Sequence, residues 1–471
     1  MAAGTAGSSP LLASGGITSM SQRIELNRRT FLRTAGMTAL AGAVSTNASI
    51  ASAAPSATAE PSDGVYDFDE IYDRTGTHCT KWDAQIKKYG KENIEVAMGI
   101  ADMDFRVAPC VTRALQARCS HENWGYGIPA DSYKEAIVAW NKNRHGVEVD
   151  PDSIHLAAGV HPALIAALRA FAPPGSKVLM TTPIYSGFYS DLRETLTVTA
   201  DSLGTLENGR YSIDWDNLQS QMDIDTNALI LCNPQNPTGN VWSEEDLLRL
   251  GRLCLERRVV VLADEIHCDF VTKGNKYVPF ASLPDKDVVN NSISFKAVSK
   301  TFSLAAMKSA YFFSTNQDFL DRVNVHHRPD LNTLGIVANE AAYREGADWL
   351  DQLLPYLDAN HDFVEAYAKE KMPLVDYTKA QGTYLAWLDV SKLADKIDAK
   401  GKADAANKTS ETRVTPEGIV QRWLVDNAHV YTNTGSSYGA GGEGHMRMNL
   451  ATPRKLIELA MDNMAAAMDK L

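Results

Sequence analysis

Short apolar runs alternate with amphipathic stretches along most of the chain. Stretches with helical spacing, such as SEEDLLRLGRLCLERR, separate three apolar runs and a serine-rich one: KVLMTTP, ALILCNP, VVVLADE and SISFKAVSK. Apolar runs of this length are typical of strands buried on both faces, and strands that alternate with helices form parallel sheets. The pattern therefore predicts an α/β fold whose functional residues lie at the strand ends.

The SEED stretch shows the local rules that support this prediction. Ser243 can cap the helix, Asp246 follows at the capping-box position, and apolar side chains recur at helical spacing at Leu247, Leu250, Leu253 and Cys254. From residue 341 to 471, long helical patterns surround one strand-like segment, TYLAWLDV. We expect a large domain over 101–340 and a smaller one formed by 66–100 and 341–471, with a solvated charged insert near 391–415.

The N-terminal residues have a different pattern. A basic stretch from residue 23, an alanine-rich apolar run over about 34–50 and small residues up to Ala53 follow the plan of an export signal. Arg28 and Arg29, followed by Thr-Phe-Leu, resemble the twin-arginine signature. We expect residues 1–53 to be a signal peptide, 54–65 a flexible lead-in, and the mature protein to be periplasmic or extracellular. An uncleaved anchor, a chance alanine-rich tail and a start at Met20 are the alternatives.

The amino-acid composition argues against several classes of function. The 471 residues are 44% hydrophobic and 22% charged, as in globular proteins, and 46 Lys+Arg against 58 Asp+Glu give a net charge of -12. This balance is unlike that of a general nucleic-acid binder, so an anionic substrate needs local positive charge. The six cysteines are scattered without a CxxC pair, which predicts neither a metal site nor a disulfide framework.

Four short segments carry candidate chemistry. Lys300 follows the run SISFKAV, where a desolvated amine can attack a carbonyl carbon, although a surface lysine is the simpler alternative. Asp264 ends the run VVVLADE, where a carboxylate can keep a pyridinium nitrogen protonated or bind a metal. Asn236 lies in the turn CNPQNPTG, and Gly159 and Val160 precede a helix whose first N–H groups can bind phosphate.

In chain order these segments resemble the fold type I pyridoxal-phosphate enzymes of aminotransferase class I/II, the aspartate aminotransferase superfamily. The similarity is greater to the branch of cystathionine β-lyases and cysteine-S-conjugate β-lyases. The motifs that carry it run from Tyr66 to the C terminus: YDFD, RTGT, KWD, ADMDF, WGYG, TPIY, NPQNPTG, DEIH, QGTYLAW and RMNLATPR. The resemblance implies a large domain with a mostly parallel seven-stranded sheet and a smaller C-terminal α/β domain.

The resemblance also implies residue roles. Lys300 would bind pyridoxal 5'-phosphate covalently and move the Cα proton of the substrate, with Asp264 at the ring nitrogen and Asn236 at the ring oxygen. The remaining roles fall to Tyr185 and His267 at the ring, to Gly159, Val160, Ser299 and Lys308 at the phosphate, to Tyr126 at the partner subunit's phosphate, and to Arg447 at the substrate carboxylate. Tyr126 thereby predicts a homodimer.

The implied reaction is α,β-elimination from L-cystathionine or cysteine S-conjugates, giving a thiol, pyruvate and ammonia. An aminotransferase is the main alternative, and a non-catalytic binding protein or a metal-dependent hydrolase is more distant. Three positions depart from the branch, which indicates rearranged phosphate contacts: Ala297, Ser303 and Ala306. His161 and His445 replace residues that are commonly apolar in relatives, and we expect both to face water, with a place at the substrate mouth as the alternative.

Overall fold

The computed structural model describes residues 64–471, so the predicted signal peptide and nearly all of the lead-in lie outside the described residues. The strands are β1 Val96–Ala97, β2 His155–Ala157, β3 Lys177–Thr182, β4 Val198–Leu203, β5 Thr205–Glu207, β6 Arg210–Ser212, β7 Thr226–Cys232, β8 Val260–Asp264, β9 Ser292–Lys296, β10 Ala310–Phe313, β11 Leu385–Asp389, β12 Val430–Tyr431, β13 Asn433–Thr434 and β14 His445–Asn449.

The helices of the first part of the chain are α1 Asp83–Tyr89, α2 Pro109–Cys119, α3 Asp131–His145, α4 Val160–Phe171, α5 Gly187–Thr195, α6 Trp215–Gln221, α7 Glu244–Arg257, α8 Lys286–Asn290 and α9 Val298–Thr301. Those of the second part are α10 Gln317–Asn324, α11 Thr333–Glu345, α12 Ala347–Lys371, α13 Ser391–Lys396, α14 Ala399–Ala406, α15 Pro416–Ala428 and α16 Arg454–Met468. Within residues 64–471, no helix combines the length and the apolar character that crossing a membrane requires.

A seven-stranded sheet in the order β2-β10-β9-β8-β7-β3-β4 forms the centre of the protein. The strands from β9 to β4 are parallel, and only β10 runs against its neighbours. Apolar side chains of α4 and α5 cover one face, while those of α6, α7 and α8 cover the other. This confirms the predicted mostly parallel α/β fold, because parallel strands need helices on both faces.

Helix α7 forms for the reasons read from the sequence. The backbone N–H of Asp246 donates to the Ser243 hydroxyl oxygen over 3.1 Å, which caps the first turn. Leu247, Leu250 and Cys254 are buried against the sheet, whereas Leu253 is half-buried at the edge of the stripe. The helix thus covers the sheet and contributes no side chain to the site.

A second core joins the two ends of the described chain. Strand β1 pairs in parallel with β12, and β11, β14 and β13 form a three-stranded antiparallel sheet. Side chains from these strands pack with those of α12, α15 and α16 in one apolar cluster. Residues near 96 therefore fold with residues beyond 360, as expected for the smaller domain, whose boundaries remain a prediction.

Two local expectations were incomplete. The charged insert is not only a solvated excursion: it forms α13 and α14, and Leu393, Ile397 and Ala399 are buried in the second core. The C-terminal region also contains β14, which was not predicted because polar and methionine side chains alternate along it. The methionines join the core, whereas Arg447 on the same strand faces the site described below.

Candidate active site

Neighbouring parallel strands bring the predicted carboxylate and lysine together. Asp264 is the last residue of β8 and pairs with Cys232 at the end of β7 and with Phe295 on β9. The chain leaves β9 at Lys296 and enters α9, which carries Lys300. The carboxyl ends of these strands thus converge on one edge of the sheet, where an α/β protein usually binds its ligand.

Lys300 is held in place by a hydrogen bond, and its amine loses its proton more readily than an ordinary lysine does. Its Nζ donates a hydrogen bond to the backbone oxygen of Ala101 over 2.9 Å. Burial, reinforced by the positive charge of Arg447, lowers the pKa of Lys300 to about 8. At neutral pH a larger fraction of this lysine is therefore the free, nucleophilic amine than is true of an ordinary surface lysine.

The backbone of residues 100–103 forms the floor under this amine. The Tyr384 hydroxyl donates to the same Ala101 oxygen over 3.0 Å, and the Asn449 amide donates to the oxygens of Ile100 and Asp102 over 2.6 and 2.7 Å. The N–H of Met103 donates to the hydroxyl of Ser303 over 2.9 Å. Ser303, one of the departures from the lyase branch, thus fixes the floor.

A buried ionic cluster secures this floor from behind. Lys81, fully buried, lies 2.6 Å from the Asp104 carboxylate and also donates to the Asp102 oxygen over 3.0 Å. Arg74 pairs with Asp102 at 2.7 Å and with Asp104 at 3.0 Å. Three of the recognised motifs therefore act together: RTGT and KWD supply the cations that hold ADMDF in place.

Asp264 is a buried carboxylate directed to the same edge. One of its oxygens accepts the backbone N–H of Ile266 over 3.1 Å. Burial raises its pKa to about 6, against the opposing effects of that bond and of His161 and Lys300. A carboxylate in such surroundings gains most from a cationic partner, and a protonated ring nitrogen is one.

Arg447 brings an uncompensated positive charge into the site. It is buried on β14, and its two terminal nitrogens donate to the Asn236 side-chain oxygen over 3.0 Å and to the Gly99 oxygen over 2.7 Å. Both acceptors are neutral. Its Nε is buried with no hydrogen-bond partner among the described residues. A guanidinium in this state has both the charge and the free donor to bind a carboxylate.

His267 completes the polar lining. It is buried, and its Nδ1 has no hydrogen-bond partner in the described part of the chain. Burial, aided by the charges of Lys300 and Arg447, lowers the pKa of His267 well below its usual value, so the ring is neutral. The poised amine of Lys300, the buried carboxylate of Asp264 and these unsatisfied donors fit an aromatic cofactor with polar substituents, as pyridoxal phosphate has.

An aromatic wall borders the site. Tyr211, Trp387 and Tyr438 pack together in one buried cluster, and Tyr185 packs against them. The indole N–H of Trp387 donates to the Tyr211 hydroxyl over 3.2 Å. His445 stacks on Trp387 with ring centroids 4.9 Å apart. These rings exclude water from the side of the site next to Arg447.

The prediction that His161 and His445 face water is wrong for His445 and only partly met by His161. His445 is buried by its stacking on Trp387 and bonds through Nδ1 to the Glu443 oxygen at 2.8 Å. His161 is half-buried, and its Nδ1 lies 2.7 Å from the Asp191 carboxylate. A histidine at a helix start or in an alternating strand is usually solvated, but tertiary contacts cover the ring of His445 and part of the ring of His161.

Some of the residues predicted to bind phosphate lie at the strand edge, and others are exposed. Gly159 caps α4 and Val160 is its first residue, so the free N–H groups of this helix point to the strand edge. Ser299 lies half-buried in α9 beside Lys300, whereas Lys308 is exposed. Tyr126 is also exposed. The roles of these residues remain predictions.

A cluster of His145, Cys268 and Asp269 lies on the other side of α9. The Asp269 carboxylate accepts the hydroxyl of Thr301, next to Lys300, over 2.6 Å, and its other oxygen is 3.3 Å from Arg144 and 3.1 Å from His145. The potential ligand atoms of His145, Cys268 and Asp269 lie within 4.8 Å of one another, as a metal site would require. The guanidinium already neutralises the carboxylate, so the cluster braces α9.

Sequence reasoning missed several residues of the site. The Ala101 oxygen accepts hydrogen bonds from Lys300 and Tyr384, and Asn449 bonds to the backbone oxygens on either side of it, so distant parts of the chain meet here. Their motifs QGTYLAW, RMNLATPR and ADMDF were noted, and that co-occurrence was the available signal. Asp191 carried no signal, since a polar residue within an amphipathic helix is ordinary.

Comparisons with known proteins agree with this geometry. Residues 93–463 match the family model described as Aminotransferase class I and II. Cystathionine beta-lyase PatB of Bacillus subtilis (strain 168) is 35% identical over 401 residues, which cover 84% of this chain and 98% of that protein. The structure of cystalysin from Treponema denticola, which contains a pyridoxal 5'-phosphate cofactor, superposes with a TM-score of 0.78 at 27% identity, covering 86% of this chain and 99% of the other.

The pyridoxal-phosphate-bound C-S lyase from Staphylococcus hominis superposes with a TM-score of 0.76 at 30% identity, covering 86% of this chain and 99% of that one. The chain therefore belongs to the aminotransferase class I and II family, has the fold type I architecture and uses pyridoxal phosphate as its cofactor. The family and the cofactor expected from the motifs are confirmed.

Proposed function

We propose that the protein is a pyridoxal-phosphate-dependent carbon–sulfur β-lyase that cleaves L-cystathionine or cysteine S-conjugates to a thiol, pyruvate and ammonia. The observation that carries the proposal is the Lys300 amine at the strand edge where the buried Asp264 carboxylate also lies, with the positive charge of Arg447 helping to lower the pKa of that amine. The names of the similar proteins, a cystathionine beta-lyase and a C-S lyase, favour elimination over amino-group transfer.

The side chains of this protein divide the work. Arg447 binds the substrate carboxylate through the donors that have no charged partner, which fixes the Cα atom. The bound cofactor supplies an electron sink for negative charge at Cα, and Asp264 holds the proton at its ring nitrogen. Lys300 Nζ takes the Cα proton as a free amine.

The remaining steps require a leaving group at Cβ. The Cβ–S bond breaks, its electron pair leaves on sulfur, and water then releases ammonia and leaves pyruvate. Since no amino group stays behind, the reaction needs no 2-oxo acid. The aromatic wall of Tyr185, Tyr438 and Trp387 keeps solvent from Cα until the sulfur has left.

The proposed β-elimination can be tested by identifying the products formed from different amino acids. We expect the holoenzyme to release pyruvate and a thiol from L-cystathionine and from S-substituted cysteines with no 2-oxo acid present. Alanine and aspartate, which lack a sulfur leaving group at Cβ, should release no pyruvate under the same conditions. Activity that depends strictly on an added 2-oxo acid would establish the aminotransferase instead.

We also propose a homodimer in which Tyr126 reaches the partner's cofactor. Tyr126, Trp124 and Ile128 are exposed on one loop, and this loop lines a surface cavity of about 960 Å³ together with residues 324–333. Exposed aromatic and aliphatic side chains around a cavity are typical of an interface.

Mixing two inactive variants tests the shared site. Tyr126→Ala and Lys300→Ala should each be inactive or nearly so, and their mixed dimer contains one intact site. After subunit exchange we expect recovery of about a quarter of wild-type activity, since half of the dimers are mixed and each has one working site. No recovery, with exchange shown by mass spectrometry, would mean that Tyr126 does not act on the partner's site.

Export by the twin-arginine route is a further proposal, and it rests on residues 23–53 alone. This route carries folded proteins, so the cofactor can be bound before transport. Substitution of Arg28 and Arg29 by lysine should keep the protein in the cytoplasm, and the N-terminal sequence of the exported form should begin near residue 54. Unchanged export of the double variant would contradict the proposal.

A further inference from the structure

The helix that carries Lys300 is too short to hold itself in place. Helix α9 has only the four residues Val298–Thr301, and the residue before it, Ala297, provides no side-chain cap. The backbone hydrogen bond from the N–H of Phe302 to the Val298 oxygen, over 2.9 Å, closes its turn. A single turn makes too few hydrogen bonds to offset the order it requires. The position of Lys300 therefore depends on the side chains that anchor this turn to the rest of the protein.

Apolar side chains hold α9 on both sides of Lys300. Val298 is buried in the core, and the ring of Phe302 packs against those of Trp140 and Trp349 with centroids 5.8 and 5.6 Å away. Hydrophobic contact is not directional, so it specifies the rotation of a single turn less sharply than a hydrogen bond does.

Thr301 supplies a directional contact. Its hydroxyl donates to the Asp269 carboxylate over 2.6 Å, and both side chains are buried. Burial opposes the ionised form of Asp269, but its neighbours His145 and Arg144 outweigh that effect and lower its pKa to about 2. The acceptor is therefore a carboxylate at any working pH, and the distance is typical of charge-assisted bonds, the strong class of hydrogen bond.

This bond connects two parts of the candidate active site. Consecutive residues of a helix point about 100° apart, so Thr301 can face away from the strand edge while Lys300 faces it. Asp269 lies in the turn 265–270, which directly follows Asp264 at the end of β8 and is closed by backbone hydrogen bonds of 3.0 Å. The bond thus fixes the helix of Lys300 relative to the segment of Asp264.

Asp269 is itself held from behind. Its second oxygen lies 3.3 Å from Arg144 Nε and 3.1 Å from His145 Nε2, at the C-terminal end of α3. Arg144 also pairs with Asp351 of α12 at 2.8 Å. The carboxylate therefore has little freedom to follow Thr301 when α9 moves, and it acts as a fixed point.

We propose that Asp269 and Thr301 are positioning residues for Lys300: their hydrogen bond fixes the rotation of α9, so that the lysine amine is aligned with the cofactor and with the Cα proton. The proposal rests on the roles of Lys300 within the proposed function, and not on which amino acid is cleaved. Both residues act through Lys300, because an amine that is misaligned reacts less often.

Cofactor capture by the apoprotein tests the alignment without turnover. We would mix apoprotein with pyridoxal phosphate, stop the reaction with borohydride at intervals and measure the label on Lys300 by peptide mass spectrometry. In Thr301→Val, which keeps the shape and removes the donor, we expect capture to be roughly tenfold slower. Thr301→Ser keeps the hydroxyl and should remain within about twofold of wild type.

The pH dependence distinguishes a misaligned lysine from one with a changed pKa. Burial, reinforced by Arg447, lowers the pKa of Lys300 to about 8, and substitution of Thr301 alters neither cause. The capture rate of Thr301→Val should therefore level off at the same pH as that of wild type, on a lower plateau. A shift of that pH with an unchanged plateau would overturn the proposal.

A matched control separates position from general stability. Thr226, the buried first residue of β7, donates its hydroxyl to the Asp223 carboxylate over 3.2 Å, at the end of the strand away from the site. Thr226→Val should lower the unfolding midpoint and leave capture unchanged. Equal slowing of capture in Thr226→Val and Thr301→Val would overturn the proposal, as would capture at the wild-type rate in Thr301→Val.

Asp269→Asn changes the same contact from the other side. The amide oxygen still accepts from Thr301 but without the negative charge, so capture should slow by only about threefold. The double variant should be no slower than Thr301→Val alone, since both residues act through one bond. Losses that multiply in the double variant would overturn the proposal, and so would capture at the wild-type rate in Asp269→Asn.

Kinetics of the holoenzyme provide an independent readout. Because Lys300 takes the Cα proton, Thr301→Val should lose roughly tenfold in kcat, with little change in KM, since Arg447 still binds the substrate. A loss confined to KM would contradict the proposal. A wild-type enzyme that captures the cofactor on Lys300 but releases no pyruvate would refute the proposed reaction and leave the capture measurements valid. The two proposals therefore fail separately.

Discussion

Lys300→Ala should reduce pyruvate release from L-cystathionine by about 10⁴-fold or more, since it removes both the amine that binds the cofactor and the base that takes the Cα proton. Borohydride reduction of the holoenzyme should fix the cofactor on Lys300 in wild type and nowhere in the variant, as peptide mass spectrometry would show. The matched control Lys276→Ala, an exposed lysine, should keep full activity. Activity retained in Lys300→Ala would refute the assignment.

The same lysine gives a pH prediction. With a pKa of about 8 instead of the usual 10.5, the free-amine fraction of Lys300 at pH 7 is roughly 300-fold larger than that of an ordinary lysine. We therefore expect the rate at which apoprotein captures pyridoxal phosphate to rise with pH and to level off above about 8. A rate that continues to rise towards pH 10 would mean that burial does not lower the lysine pKa.

Replacement of Arg447 should have the second largest effect. Truncation of a buried charged group that pairs with a ligand costs about 2–5 kcal/mol, so Arg447→Ala should lower kcat/KM by roughly 30- to 5,000-fold, mainly through KM. Arg447→Lys keeps the charge without the planar pair of donors and should recover only part of the loss. Arg422→Ala, at an exposed arginine of α15, serves as the control.

A purely structural role for Arg447 would give a different result. Arg447 also bonds to Asn236 and to the Gly99 oxygen, so its loss could disturb the site without any contact to substrate. A substrate analogue that lacks the carboxylate separates the two cases. If Arg447 binds the carboxylate, the analogue reacts equally poorly with wild type and variant; if it only supports the fold, the variant loses as much with the analogue as with the substrate.

The rule that sites lie at the ends of parallel strands explains what could be predicted. Asp264 and Lys300 each follow a run of strand residues, and the seven-stranded sheet brings them to one edge. The helix start at Val160 was visible in the same way, because a glycine precedes an apolar helical pattern. Local sequence is sufficient to predict a functional residue when that residue directly follows a strand or begins a helix.

Long-range contacts account for what could not be predicted. The Ala101 oxygen that holds Lys300 belongs to a segment with no regular structure. Tyr384, which bonds to this oxygen, precedes β11, and Asn449, which bonds to the oxygens of Ile100 and Asp102, ends β14. The charge of His161 depends on Asp191, whose sequence context is that of any exposed helix residue. No local pattern encodes a pairing between residues of separate elements.

The pairing of β1 with β12 has a consequence for the order of events in the cell. The guanidinium of Arg447 bonds to the Gly99 oxygen, 348 residues earlier in the chain, and β12 lies beside β1. During synthesis the segment around Gly99 leaves the ribosome long before β12 and Arg447, which complete its cofactor pocket. The pocket is complete only after β14, which carries Arg447, has folded against the segment around Gly99, so we expect stable cofactor capture to follow that step.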